Sequence, residues 1–246
     1  VHQLYGAMLR PVLAELREPR LEVVLDTSLL WNQWCLIRLG LVYRGRTLPL
    51  VWKVIAQRSS SVAFRHYRGL LRYAERLLPA DRDVVLLADR GFTHLELIGW
   101  IHRQARWHLR LRLKRAGLTL WVYQRGRYRR LALQVQAGQV RCYHHLTVGA
   151  SRLEMHVAVG WQQGQREPWI ILSDEPTDRD TLADYGHRFS IEESFLDDKS
   201  NGFQLESSQL REARTLTRLL VVLAVATLYL TCQGTAVVAQ GHRRRV

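Results

Sequence analysis

Lysine is nearly absent from this sequence of 246 residues, which has lysines only at 53, 114 and 199. Arginine therefore supplies most of the basic charge: lysine and arginine total 36 against 22 acidic residues, a formal charge of +14. Such a charge predicts an anionic partner, although an arginine-rich genome composition would explain part of it. Because the arginines are spread over many segments, nucleic acid fits better than an acidic membrane surface.

Cysteine is equally scarce. Cys35, Cys142 and Cys232 lie far apart with no paired spacing, which argues against a disulfide framework and against a thiolate zinc site. The first twenty residues carry scattered charges and no apolar run of signal-peptide length, so we predict no export signal. We expect a cytoplasmic protein.

Long apolar runs are also rare, and the one over residues 219–239 is long enough to resemble a membrane span. Its second half contains Thr231, Gln233 and Gly234, and arginines stand among the leucines before it. We therefore predict a buried core helix that ends near Gly234, and no membrane partner.

The order of apolar patterns predicts an α/β fold. Residues 21–57 read as three consecutive strands, and 62–78 as a helix with arginines along its outer face. A buried strand (DVVLLA), a helix and the alternating strand WHLRLRLK follow. Residues 177–230 contain no proline and predict two or three closing helices. This is the order of a ribonuclease-H-like core, a mixed sheet flanked by helices, with a β-rich insertion before the last catalytic helix.

Two aspartates stand where a carboxylate is costly to bury. Asp26 lies inside VVLDTSLL and needs either a hydrogen-bond network or a cation. Asp89 follows VVLLA, where a strand gives way to a glycine turn, a usual place for a ligand in an α/β protein. Taken alone, either aspartate could equally be a capped or hydrogen-bonded structural residue.

A third segment changes that balance. Four residues share a Y-x2-R-x3-E-x6-K spacing: Tyr185, Arg188, Glu192 and Lys199. Such a match is rare by chance in a chain with so few lysines. On one helix these positions fall within about 60° of arc, so a carboxylate and two cations would share a face. If Ser190 and Glu193 instead form a capping box, the tyrosine and the arginine precede the helix.

On these residues the chain resembles the insertion-sequence branch of DDE transposases, which share a ribonuclease-H-like fold, an Asp-Asp-Glu triad and a Tyr-Arg-Glu-Lys signature. The resemblance runs over roughly residues 20–235 and includes a β-rich insertion at about 105–175. It implies a catalytic domain over 21–240, preceded by 1–20 as the remnant of an N-terminal region.

The resemblance implies a triad of catalytic residues that ligate two Mg²⁺ or Mn²⁺ ions: Asp26, Asp89 and Glu192. One ion would activate a water and later a DNA 3′-hydroxyl, and the other would stabilise the leaving oxygen. Three further side chains would hold DNA phosphates beside the triad: Tyr185, Arg188 and Lys199. The implied activity is cleavage at transposon ends and 3′-end strand transfer into target DNA by a homodimer on double-stranded DNA.

The insertion supports DNA contact on its own residues. Aromatic side chains at Trp121, Tyr123 and Tyr128 are interleaved with four arginines: Arg125, Arg127, Arg129 and Arg130. This mixture suits phosphates and unstacked bases, although a solvated surface would have a similar composition.

Two other functions remain open. A ribonuclease-H-like nuclease would show metal-dependent cutting without strand transfer. A truncated, inactive DNA-binding remnant would regulate an intact transposase through mixed dimers, and it is suggested by the short stretch before Asp26.

Overall fold

The computed structural model describes residues 2–114, 118–149 and 153–241. Within these residues there are six α-helices: α1 (His2–Ala14), α2 (Phe64–Leu77), α3 (Leu95–His102), α4 (Asp180–Gly186), α5 (Ser190–Leu196) and α6 (Ala213–Ala239). The same residues contain ten strands: β1 (Arg20–Leu30), β2 (Trp34–Tyr43), β3 (Arg46–Ala56), β4 (Asp83–Ala88), β5 (Trp107–Arg112), β6 (Leu120–Gln124), β7 (Arg127–Arg130), β8 (Val140–Val148), β9 (Glu154–Gly160) and β10 (Trp169–Ser173).

The strands form one mixed sheet in the order β3-β2-β1-β4-β5-β10-β9-β8-β6-β7. In its first half β1, β2 and β3 form an antiparallel meander, β4 runs parallel to β1, and β5 runs parallel to β4. Helices flank this sheet, as expected for an α/β layer fold. The strand order 3-2-1-4-5 is that of the predicted ribonuclease-H-like core, so the predicted fold class is confirmed.

The two central strands change from apolar to polar side chains at the same level of the sheet. The fully buried run of β1 ends at Leu25, and that of β4 ends at Ala88. These two residues are register partners in the parallel pair. Whatever polar side chains follow them therefore lie next to each other.

The β-rich insertion continues the sheet instead of forming a separate layer. β10 pairs antiparallel with β5, and β9, β8, β6 and β7 follow in that order towards the far edge. Within the segment predicted to be β-rich, β6 and β7 form a hairpin, whereas residues 131–139 are not strand.

Helix α1 belongs to the same hydrophobic core as the sheet. Its side chains Tyr5, Leu9 and Leu13 are buried, and the Tyr5 hydroxyl donates a hydrogen bond to the Pro49 carbonyl of β3 at 2.7 Å. The sequence prediction set residues 1–20 apart from the catalytic domain, whereas the helix within them packs on β3 and α6.

Helix α6 is longer and more exposed than predicted. It continues through Gly234 to Ala239, so the predicted end near Gly234 is wrong. The helix packs on β3 through one face of buried side chains: Leu216, Leu220, Leu223, Ala224 and Leu228. A single glycine costs a helix only about 1 kcal/mol, which the packing of this long face offsets.

Among the described residues, α6 is the one helix whose length and hydropathy would suit a membrane span, and 17% of its most apolar stretch is buried. Core helices and membrane spans share these two properties. In this structure α6 packs on the sheet through five side chains of one face, and its other side chains are half-buried or exposed.

Candidate active site

Asp26 and Asp89 come from the two central parallel strands. Each directly follows one member of the register pair Leu25 and Ala88, so the two carboxylates are neighbours. Asp26 is largely buried, and its Oδ1 accepts a hydrogen bond from the Thr27 backbone N–H at 2.8 Å. Asp89 is half-buried at the start of the 3₁₀ turn Arg90–Phe92.

An almost continuous helical path carries the third carboxylate. Between α4 and α5 lies the 3₁₀ turn His187–Phe189, and α5 leads into the π-helical turn Asp197–Asn201. The Ser190 hydroxyl donates to the His187 carbonyl at 2.8 Å and makes no cap to α5. The capping-box alternative is therefore not formed, and Glu192 lies in the first turn of α5.

One cleft is lined by all three predicted catalytic carboxylates, from Asp26, Asp89 and Glu192. Serine side chains from the loop before α2 also line the cleft, at Ser60 and Ser61, and the Ser60 carbonyl accepts a hydrogen bond from the Thr27 hydroxyl at 2.8 Å. Four cations also line the cleft: Arg90, Lys114, Arg188 and Lys199. The cleft thus combines acidic oxygens with basic groups that suit an anionic substrate.

Arg188 joins two of these carboxylates. Its Nη1 lies 2.8 Å from Asp26 Oδ2, and its Nη2 lies 2.6 Å from Glu192 Oε1. The guanidinium is buried and packs over the Phe189 ring at 4.5 Å. Among the described residues, no group of three His, Cys, Asp or Glu side chains is arranged to hold a metal ion. The positive charge between Asp26 and Glu192 comes from Arg188.

The carboxyl group of Asp26 is a weaker acid than that of an ordinary aspartate. Its pKa is raised to about 6, mainly by burial, and the charges of Asp89 and Glu192 act in the same direction. The Arg188 guanidinium and the Thr27 N–H oppose the rise. A buried carboxylate crowded by two others is a favourable place for a cation, because a positive charge relieves both causes.

The structure does not place the three predicted phosphate-binding side chains alike. Tyr185 is fully buried, and its hydroxyl donates to the Ala88 carbonyl at 3.3 Å. Arg188 is buried between the two carboxylates. In this conformation both side chains are committed to partners inside the protein. Lys199 lines the open cleft.

A buried ion pair that sequence reasoning missed fixes the segment carrying Glu192 and Lys199. Arg38 of β2 pairs with Asp198 of the π-helical turn, and both are buried. Arg38 Nη1 also lies 3.2 Å from Ser194 Oγ, and the guanidinium packs over the Phe195 ring at 5.0 Å. Nothing in the local sequence pattern identifies this pair, because its members are 160 residues apart.

The four predicted DNA-binding arginines of the insertion lie together on the hairpin of β6 and β7, away from the carboxylate cleft. Arg125, Arg127, Arg129 and Arg130 are all exposed. The turn residues Arg125 and Gly126 both have positive φ, which suits a two-residue hairpin turn. Tyr123 and Tyr128 form an exposed cross-strand pair with ring centroids 5.1 Å apart.

Comparison with known families gives one clear result. The family model described as "Transposase DDE domain" matches residues 32–229. The matched range contains Asp89 and Glu192 and begins after Asp26. A search of curated protein sequences gave no significant match.

Two solved structures have a related chain trace. The piggyBac transposase, solved by cryo-EM as a synaptic complex with hairpin DNA, is 7% identical with a TM-score of 0.46, over 85% of this chain and 52% of that one. The Marinitoga piezophila Argonaute, solved in complex with a 5′ OH guide RNA, is 10% identical with a TM-score of 0.32, over 72% of this chain and 26% of that one. This chain therefore spans about half the length of the piggyBac transposase. Since both scores are low, the fold assignment rests on the strand order.

Proposed function

The chain belongs to the transposase DDE domain family, and from that premise we propose that it cleaves DNA at transposon ends and joins the freed 3′ ends to target DNA. Asp26, Asp89 and Glu192 are the proposed catalytic residues. The observation that carries the proposal is that these three carboxylates, from distant parts of the sequence, line one cleft. We further propose the Tyr-Arg-Glu-Lys branch and action as a homodimer on double-stranded DNA, so that two ends react together.

The donor chemistry of the cleft fits Mg²⁺ or Mn²⁺, because both ions prefer hard carboxylate oxygens. The raised pKa of Asp26 is compatible with this fit, because its main cause is burial, the charges of Asp89 and Glu192 add to it, and a bound cation would offset both. Two bound ions would supply charge stabilisation for an in-line phosphoryl transfer. Asp26 Oδ2 and Glu192 Oε1, which now contact Arg188, are the oxygens for which an ion would compete with the arginine.

We assign Tyr185 and Arg188 a different role from the phosphate contacts implied by the resemblance. Tyr185 anchors the helical path to β4 through the Ala88 carbonyl, directly before Asp89. Arg188 holds Asp26 and Glu192 near each other. Both residues would therefore position the carboxylates. A phosphate contact by Arg188 requires that its guanidinium first leaves those two partners.

The first experiment is an assay of nicking and strand transfer in Mn²⁺ on DNA that carries the element's terminal repeats. Wild type is compared with Asp26→Asn, Asp89→Asn and Glu192→Gln, each of which keeps the shape of the side chain but removes its charge. Glu193→Gln is the matched control, because this exposed neighbour lies outside the carboxylate cleft. We expect losses of about 100-fold or more in the three variants and wild-type activity in the control.

The alternatives give different outcomes in the same assay. Cutting without a joined product would identify a nuclease that lacks strand transfer. Binding without cutting or joining by the wild-type chain would identify a DNA-binding regulator. Equal activity of Glu192→Gln and Glu193→Gln would contradict the assigned triad.

We also propose that the exposed arginines of the β6–β7 hairpin bind DNA. Replacing Arg125, Arg127, Arg129 and Arg130 together by glutamine should lower DNA affinity and flatten its dependence on salt, because each lost phosphate contact removes about 0.9 from the slope of log affinity against log salt. A second variant with the same charge change, at Arg65, Arg68, Arg72 and Arg76 on the exposed face of α2, is the control. Equal effects of the two variants would contradict a specific role for the hairpin.

A further inference from the structure

Two of the three lysines in the chain line the carboxylate cleft. Lys114 follows β5, and Lys199 lies in the π-helical turn after α5. Lys53, the third, lies on β3 outside the cleft. In a chain where arginine is the usual basic residue, lysine is thus concentrated where the three carboxylates meet.

Both arginines of the cleft already take part in ion pairs. Arg188 pairs with Asp26 and Glu192, as described above. Arg90 pairs with Glu167 at 2.9 Å. For Lys114 and Lys199, no ion pair or hydrogen bond of the side chain is found in the part of the chain that the structure describes. These two ammonium groups are therefore the cations that a substrate can recruit without breaking an ion pair.

The fold places the two lysines on opposite sides of the aspartates. In the sheet, β1 with Asp26 and β4 with Asp89 are adjacent, and β5 lies beyond β4. Lys114 therefore extends from the β5 side. Lys199 comes from the other side, because α5 packs on β1, β2 and β3. A chain of phosphates that touches both lysines must pass over the carboxylates.

We propose that Lys114 and Lys199 bind phosphates on either side of the scissile phosphate, so that one DNA strand crosses the cleft between them. This inference rests on the proposed function and adds Lys114, a second binding residue, as well as the path of the strand. Lysine suits the role because its ammonium is a compact charge on a flexible stem, which can follow a phosphate without the fixed geometry that a guanidinium imposes.

The small number of lysines makes a direct test possible. The full chain is acetylated at limiting reagent with and without a blunt DNA duplex, in EDTA, and the rate at each lysine is measured by mass spectrometry. We expect DNA to slow acetylation of Lys114 and Lys199 by about threefold or more, because phosphate contact shields the amine. Lys53 is the internal control and should keep its rate.

Two results would overturn the proposal: equal protection of all three lysines, or protection of Lys199 while Lys114 keeps its rate. A second measurement uses Lys114→Gln and Lys53→Gln, both at exposed positions where folding is not at risk. Lys114→Gln should make the fall of log affinity with log salt less steep by about one unit of slope. Lys53→Gln should leave this slope unchanged. An unchanged slope in Lys114→Gln would also count against the strand path.

The footprint is independent of catalysis, because EDTA removes divalent metal. Protection of Lys114 and Lys199 by a chain that never cuts DNA in Mn²⁺ would leave the strand path intact and overturn the proposed enzyme. Cutting in Mn²⁺ without protection of Lys114 would support the proposed enzyme and overturn the strand path.

Discussion

Arg188 is a buried side chain that contacts two of the three carboxylates in the cleft. Its guanidinium contacts Asp26 and Glu192 and is buried, whereas the pair of Arg46 and Asp197 is exposed, at 65% and 46%. Removing one partner from a buried pair leaves an uncompensated charge, which costs far more than losing a solvated pair. The two arginines therefore offer a matched comparison.

Arg188→Gln should lower the free energy of unfolding by about 3 kcal/mol, because it leaves the Asp26 carboxylate without its cation. Arg46→Gln should change the same free energy by less than about 1 kcal/mol. Both values are measured by urea denaturation without divalent metal. The cost of Arg188→Gln should be smaller in an Asp26→Asn background, and an equal cost in both backgrounds would contradict the ion-pair explanation.

His156 is a second residue whose charge state is set by its surroundings. It is buried on β9, with its Nδ1 3.3 Å from Nδ1 of His144. Burial is the main cause that lowers its pKa from the ordinary value, and the charges of His144 and His145 lower it too. In the unfolded chain His156 takes up a proton near pH 6.5, whereas in the folded protein it does so only at lower pH.

The lowered pKa of His156 predicts a loss of stability in acid. The stabilising contribution is fully present above about pH 6.5 and is lost as the pH falls towards the folded-state value, because only the unfolded chain then binds the proton. The decrease in unfolding free energy between about pH 7.5 and pH 5.5 should therefore be smaller in His156→Gln than in wild type. Equal decreases in the two proteins would show that this histidine is not responsible.

At the scale of elements, α6 illustrates the difference between apolar composition and burial. Leu220 is almost completely buried against the sheet, whereas Val222, two residues further along the same helix, is 61% exposed. Residues two apart lie on opposite sides of a helix, so both can be apolar although only one contributes to the core. Hydropathy averaged over the helix hides this distinction.

Leu220→Ala should destabilise the protein by about 2–5 kcal/mol, because it removes a buried side chain and leaves a cavity. Val222→Ala should cost less than about 0.5 kcal/mol, since it removes an exposed side chain and introduces a better helix former. Thermal and urea unfolding of the purified variants measure both effects. Similar costs at the two positions would mean that the outer face of α6 is also covered.

At the scale of the whole molecule, the insertion and the ribonuclease-H-like core form one unit. β10 is hydrogen-bonded to β5, so the backbone ladder runs without a break from the core into the insertion. Side chains of the insertion, including Val148, Met155 and Val157, belong to the same hydrophobic cluster as the core. Neither part can lose its strands without exposing the edge and the apolar surface of the other.

This continuity predicts one cooperative unfolding transition. Trp121 reports on the insertion and Trp100 on the core, so single-tryptophan proteins that retain one or the other should give the same urea midpoint, coincident with far-UV circular dichroism. A lower midpoint for Trp121 would mean that the insertion unfolds on its own.

The sequence by itself determined the order of the core strands, because apolar period and turn residues are local properties that survive without knowledge of contacts. It also singled out Asp26, Asp89 and Glu192, which remain the proposed catalytic residues.

Only the tertiary structure decided what each side chain touches. The 3₁₀ turn before α5 departs from the angular spacing of an ideal helix, and Tyr185 and Arg188 are buried against partners inside the protein. Lys114 and the pair of Arg38 and Asp198 could not be assigned for a related reason: their surroundings are created by segments far away in the chain, and local pattern carries no information about those.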